Sequence, residues 1–180
     1  MSRHMTLATY LSGEETTLPR ELAYGVLREA AAPTFDHQIV VGRTYARLDL
    51  HVRRHRAGRV VCSPIDVVLD RAEHLVVQPD VVFVAAERMG ICVDRIWGAP
   101  DLVVEVLSMG NSRHDRTVKV DWYQRYGVRE CWLIDLVSRT VEVLDLTVPI
   151  RISRTFENQE RVCSAVLPRL RLRPADVFDD

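Results

Sequence analysis

Two carboxylates stand where the sequence should exclude them. Asp80 lies in V-V-Q-P-D-V-V-F-V (residues 76–84) and Glu105 in A-P-D-L-V-V-E-V-L-S (residues 99–108). Each run is short, almost purely apolar and bounded by Pro or Gly, the pattern of a strand covered on both faces. An ionised carboxylate in such surroundings costs several kcal/mol unless something compensates it. Two on neighbouring strands would also repel each other. A divalent cation removes both penalties, and a metal site that polarises a phosphate and activates a water is the chemistry this pair suggests.

Spacing decides which acids can share an ion. Pro79-Asp80 and Pro100-Asp101 compete as the first member. Asp101 and Glu105 share a strand face but lie about 13 Å apart along it. Asp80 comes from a different strand, and adjacent strands are only about 4.8 Å apart. Asp80 with Glu105 is therefore the expected pair, with the Val106 carbonyl as a further oxygen, and Asp101 opens its strand. Mg²⁺, or Mn²⁺ in its place, takes one or two carboxylates and waters, which fits this set. The competing explanation is that each acid accepts hydrogen bonds from backbone or pairs with Arg.

One residue type adds to this. Of the 24 Lys and Arg residues, the only lysine is Lys119. A compact ammonium can hold or activate a water in a way the arginine fork cannot. Lys119 lies one helical turn before Tyr123, just after the Glu105 strand, although an i, i+4 surface pair with Asp115 would also explain it. Val118, Trp122 and Tyr126 are expected to be the packed face of that helix.

Those residues need elements to hold them. A short amphipathic helix is expected over 5–12, and a hairpin over 21–30 around Tyr24-Gly25. A long helix should run from about Thr34 to Ala57, with Thr34 or Asp36 as N-cap and Val40, Val41, Leu48 and Val52 inward, Tyr45 beside them. Strands follow at 59–62, 65–69, 74–78 and 80–85, then a polar loop over 86–99. A strand over 102–108 leads through a turn at Met109–Ser112 into a helix from about Arg113 to Tyr126, closed by Gly127. Further strands are expected at 130–135 and 140–146, and around 150–156 and 162–167. The sum is an α/β (α+β) fold, a mixed sheet flanked by helices, read as one domain over residues 1–180.

Composition sets bounds. The net charge is −1, with 47% hydrophobic and 27% charged residues, ordinary for a soluble globular chain. No apolar run approaches ~20 residues, so no membrane span is expected, and the start lacks the apolar stretch of a signal peptide. Cys62, Cys92, Cys131 and Cys163 have no zinc spacing and read as reduced core residues of a cytoplasmic protein. Between Arg43 and Arg59 there are six arginines against one acid, Asp49, a patch suited either to phosphates or simply to solvent.

Together, Q-P-D-V-V-F-V, A-P-D-L-V-V-E-V-L-S and D-R-T-V-K-V-D-W-Y-Q-R-Y-G-V-R-E-C-W-L-I-D (residues 115–135) resemble the Uma2-like (DUF820) endonuclease family of the PD-(D/E)XK nuclease superfamily. The resemblance spans roughly residues 5–175. E-L-A-Y-G-V-L-R-E and His37-Gln38 are also similar to the family's N-terminal hairpin and helix start. The resemblance implies a restriction-endonuclease-like fold and Mg²⁺-dependent hydrolysis of DNA, with a homodimer as a plausible assembly. It matches Asp80 and Glu105 to the motif acids, and Glu21 to an acid that assists metal binding. The superfamily lysine two residues after the glutamate is absent, since position 107 is Leu; Lys119 takes its place from the following helix. Met109-Gly110-Asn111 departs from the family's usual Pro-Ser-Thr. The alternatives are a catalytically inactive nuclease fold that binds nucleic acid or a protein, and a hydrolase of another phosphate ester.

Overall fold

The computed structural model describes residues 4–13, 19–107 and 115–179. The expected turn at Met109–Ser112 and the helix start at Arg113 lie outside these residues.

The long helix α2 (Phe35–His55) sets the layout. The Thr34 side chain accepts from the His37 amide and caps its first turn. Val40, Val41, Leu48 and Val52 face inward as the periodicity requires, with Thr44 buried among them. The helix ends at Arg56, in the left-handed region at φ 52°. Gly58 follows because the backbone passes close to Val84 and Ala85 there: a Cβ would lie 2.0 Å from the Val84 carbonyl oxygen.

Two sheets share the chain where the sequence suggested one. The six-stranded sheet runs in the order β11-β10-β9-β8-β6-β3. Its members are β3 (Gly58–Cys62), β6 (Val81–Ala85), β8 (Leu102–Leu107), β9 (Glu130–Asp135), β10 (Thr140–Asp145) and β11 (Ile152–Glu157). Only β8 and β9 pair in parallel, so the sheet is mixed as expected. The second sheet has the order β2-β1-β5-β4-β7, built from β1 (Arg20–Ala23), β2 (Val26–Glu29), β4 (Val67–Asp70), β5 (Leu75–Val77) and β7 (Ile96–Trp97). The β1–β2 hairpin turns at Tyr24 and Gly25, both at positive φ, the backbone twist that tight hairpins prefer.

Layers follow from strand alternation. Val104 and Val106 of β8 and Val81 and Phe83 of β6 pack against α2. Val103 and Leu107, with Val82 and Val84, face the opposite side, against the second sheet and helix α3 (Val120–Tyr126). Helix α1 (Leu7–Leu11) covers the far side of the second sheet through Leu7 and Tyr10.

Several expectations need correction. Residues 86–99 are not all loop: a 3-10 helix spans Ala86–Ile91 and β7 follows. Residues 162–167 form no strand. Their backbone is held instead by the buried Glu130 carboxylate, which accepts from the Ser164 hydroxyl and the Ala165 amide. Helix α4 (Ala175–Phe178) closes the chain against α2. Before α3, Asp115–Lys119 form a π-helical turn. The wider turn shifts the helix phase, so Val120, Trp122 and Tyr123 are buried while Val118 is exposed. Of the four cysteines only Cys131 is buried; Cys62 and Cys163 are exposed and Cys92 lies between. All four are free. Among the described residues, no helix is long and apolar enough to cross a membrane.

Candidate active site

The site forms where two strands part. β6 pairs with β8 from Phe83↔Leu102 to Val81↔Val104 and no further, whereas β9 follows β8 to Leu107↔Asp135. Past Val104, the edge of β8 that faces β6 has left the ladder. Buried backbone groups must find partners elsewhere, and at Val106 they find side chains. The Val106 amide donates to Asp80 Oδ2 at 2.7 Å. The Val106 carbonyl lies 3.0 Å from His37 Nε2. A carbonyl oxygen only accepts, so this nitrogen carries the proton. The same Nε2 is 3.4 Å from Asp80 Oδ2. Two oxygens, one from a carboxylate and one from the backbone, thus converge on one N–H.

Glu105 points to the side of the sheet that α3 covers. It lies between Val103 and Leu107 on β8 and is only 3% exposed. Its Oε1 is 2.7 Å from Lys119 Nζ and also accepts from the Tyr123 hydroxyl. Burial, and then the Glu105 charge, push the Tyr123 phenol well above its ordinary range, so it stays protonated and remains a donor. Lys119 Nζ reaches on to Glu21 Oε1 at 2.9 Å. Glu21 projects from β1, and its Oε1 accepts from the Gln78 amide at 3.0 Å. Gln78 continues outward: its side-chain amide donates to Asp66, which also accepts from Tyr10. The second sheet thereby helps to position the site.

Asp80 lies in the bend just before β6, and its carboxylate meets the Val106 amide and His37 of α2, whereas the Glu105 carboxylate meets Lys119 and Tyr123. Glu21, Glu105 and Lys119 are joined directly, while Asp80 bonds the residue next to Glu105. Among the described residues, no three His, Cys, Asp or Glu side chains converge as a metal-holding group. The donor set is instead two carboxylates and a carbonyl, each bonded to an N–H or ammonium of the chain itself. Its all-oxygen chemistry fits a hard divalent ion completed by water.

Asp101 plays the separate part expected of it. It is fully buried at the opposite end of β8 and accepts from the Ala85 amide, Arg88 and Arg129. Lys119 turns inward to Glu105 and Glu21. His37 and Tyr123 were not among the residues chosen for the site. Tyr123, four residues after Lys119, could have been found from helical spacing. His37 lies 69 residues from the Val106 carbonyl it bonds, and no local pattern shows such a contact. The arginine-rich end of α2 lies at the opposite end of the helix from His37. Part of it is already engaged: Arg53 pairs with Asp49, Arg47 with Asp176, and Arg43 donates to the Val177 carbonyl.

A solved structure shares the fold. A protein from Anabaena variabilis ATCC 29413, described as a "putative nuclease belonging to DUF820", superposes with a TM-score of 0.82. The two are 21% identical, and the match covers 97% of each chain. The family model Uma2, described as "Putative restriction endonuclease", matches residues 7–175, and the chain belongs to the Uma2 family. No curated protein matches it. Family and fold together support a nuclease, an enzyme that hydrolyses nucleic acid.

Proposed function

We propose that this protein is a metal-dependent endonuclease that hydrolyses DNA phosphodiester bonds. The observation that carries the reading is the cluster at the end of β8. Three acids, the single lysine and a backbone carbonyl released from the ladder gather around two adjacent residues, Glu105 and Val106.

Asp80, Glu105 and the Val106 carbonyl would hold Mg²⁺, or Mn²⁺ in its place. Bound there, the ion would polarise the scissile phosphate and acidify an attacking water. The chain's own residues do the positioning. Lys119 would orient the water and offset negative charge that develops on the phosphate. Glu21 also bonds the ammonium, so that Nζ is already placed when substrate arrives. Tyr123 holds the Glu105 carboxylate through its hydroxyl. A homodimer would supply two such centres, one for each strand of a duplex.

The test is a side-by-side assay of plasmid, single-stranded DNA, RNA and a small phosphate ester with Mg²⁺, Mn²⁺ or chelator. DNA cleavage should need the ion and disappear in Asp80→Ala and Glu105→Ala. Wild-type cleavage by Asp80→Ala would sink the site assignment, and preference for RNA or the ester would reassign the substrate.

A further inference from the structure

His37 has no part in the chemistry above, yet its ring meets both Val106 and Asp80. Its side chain is 11% exposed, and its Nε2–H reaches the Val106 carbonyl oxygen at 3.0 Å with Asp80 Oδ2 at 3.4 Å. Its position is not incidental. The Thr34 cap fixes the first turn of α2 by accepting from the His37 amide at 3.3 Å. The valines of α2 anchor the rest of the helix to the sheet. The ring is therefore delivered to the splayed strand ends by a rigid element.

A Mg²⁺ or Mn²⁺ ion bound by both oxygens would sit about 2.0–2.2 Å from each. Two oxygens that both approach one N–H leave little room for such an ion beside it, because ion and N–H seek the same lone pairs and both present positive charge. We propose that His37 is an internal placeholder for the divalent ion. Its N–H holds the Asp80 and Val106 oxygens together, and the ion binds by displacing it. His37 is then a positioning residue: it keeps two donors convergent at the cost of competing with the ion. This inference rests on the proposed metal site and deepens it.

Mn²⁺ binding to the full-length protein, measured by calorimetry without nucleic acid, tests it. His37→Ala should bind Mn²⁺ about tenfold more tightly than wild type, the equivalent of one hydrogen bond no longer displaced. His37→Gln, which keeps an N–H of similar reach, should stay within about twofold of wild type. Thermal unfolding gives a second readout. Without added ion, His37→Ala should unfold at lower temperature than wild type, and Mn²⁺ should raise its midpoint by more. If Asp80→Ala abolishes binding but His37→Ala binds with unchanged affinity, the placeholder role is wrong while the metal site stands. Weaker binding by His37→Ala would make the imidazole a ligand and also overturn the proposal. If no variant shows Asp80-dependent Mn²⁺ binding, the metal site itself fails and the placeholder with it.

Discussion

Lys119 Nζ lies 2.7 Å from Glu105 Oε1 and 2.9 Å from Glu21 Oε1, and the lysine is only 4% exposed. One ammonium thus serves two carboxylates from different sheets. Removing one partner of a buried ion pair leaves the other charge uncompensated, at a cost of about 3–5 kcal/mol. Lys119→Met should lower the unfolding free energy by that order and abolish cleavage. Lys119→Arg should not restore activity, because a planar fork does not replace a compact ammonium in a closed slot. Urea titration and a cleavage assay on the same preparations check both. Wild-type stability in Lys119→Met would mean that the pair adds nothing to the fold.

Asp101, just before β8, and Glu105 within it do different work. Asp101 accepts from the Ala85 amide at 2.8 Å and from Arg88 at 3.0 Å, at the end of β8 away from Lys119. Hydrogen bonds to a charged group contribute about 1.5–3 kcal/mol each. Asp101→Asn should therefore lose stability on the order of 2 kcal/mol while its Mn²⁺ affinity stays at the wild-type value. A loss of metal affinity without a loss of stability would place Asp101 in the site after all.

The contrast between these residues explains what was legible in the sequence. Asp80 and Glu105 stood out because a carboxylate violates the composition of a buried strand. Lys119 stood out because it is the sole lysine among arginines. The N-cap of α2 and the β1–β2 turn were legible because Thr34, Tyr24 and Gly25 satisfy local backbone rules. The second sheet was not: β1 joins β5 through the single register pair Leu22↔Val76, across more than fifty residues of chain. Nor was the irregular 162–167 segment, whose apolar residues look strand-like until Glu130 is seen to claim its amides. His37 belongs to the same class, since its partner is fixed by where a helix start meets a strand end. Exposed Cys62 and Cys163 show the limit of reading burial from apolar neighbours alone.

Tyr10 gives the second sheet a measurable pH signature. Its hydroxyl donates to the Arg20 carbonyl and to Asp66, and burial, followed by the Asp66 charge, raises its pKa above the ordinary phenol value. A raised folded-state pKa stabilises fully below the unfolded value of about 10 and is lost as pH rises from there through the folded value. The unfolding free energy of wild type should therefore fall above about pH 10 more steeply than that of Tyr10→Phe, by up to about 1.4 kcal/mol per pH unit. Chemical denaturation between pH 8 and pH 11, with the variant measured in parallel, isolates the difference. Parallel curves would show that the phenol is not held in this way.

The arginines around the end of α2 lie far from the site proposed to hold the scissile phosphate. Arg54 is 17 residues beyond His37 on one continuous helix, which puts the two roughly 25 Å apart at 1.5 Å per residue. Arg54 and Arg59 are both exposed, and at that distance they could meet only a flanking stretch of backbone. Each phosphate contact contributes about 0.9 to the dependence of log affinity on log salt for duplex DNA. Arg54→Ala with Arg59→Ala should therefore weaken DNA binding, raise KM and flatten the salt slope by nearly two. At saturating substrate kcat should be unchanged, because no group at the end of β8 has been altered. Binding measured between 50 and 200 mM salt, beside the cleavage rate, separates the two effects. A fall in kcat with an unaltered salt slope would show that these arginines act on the site rather than on distant phosphates.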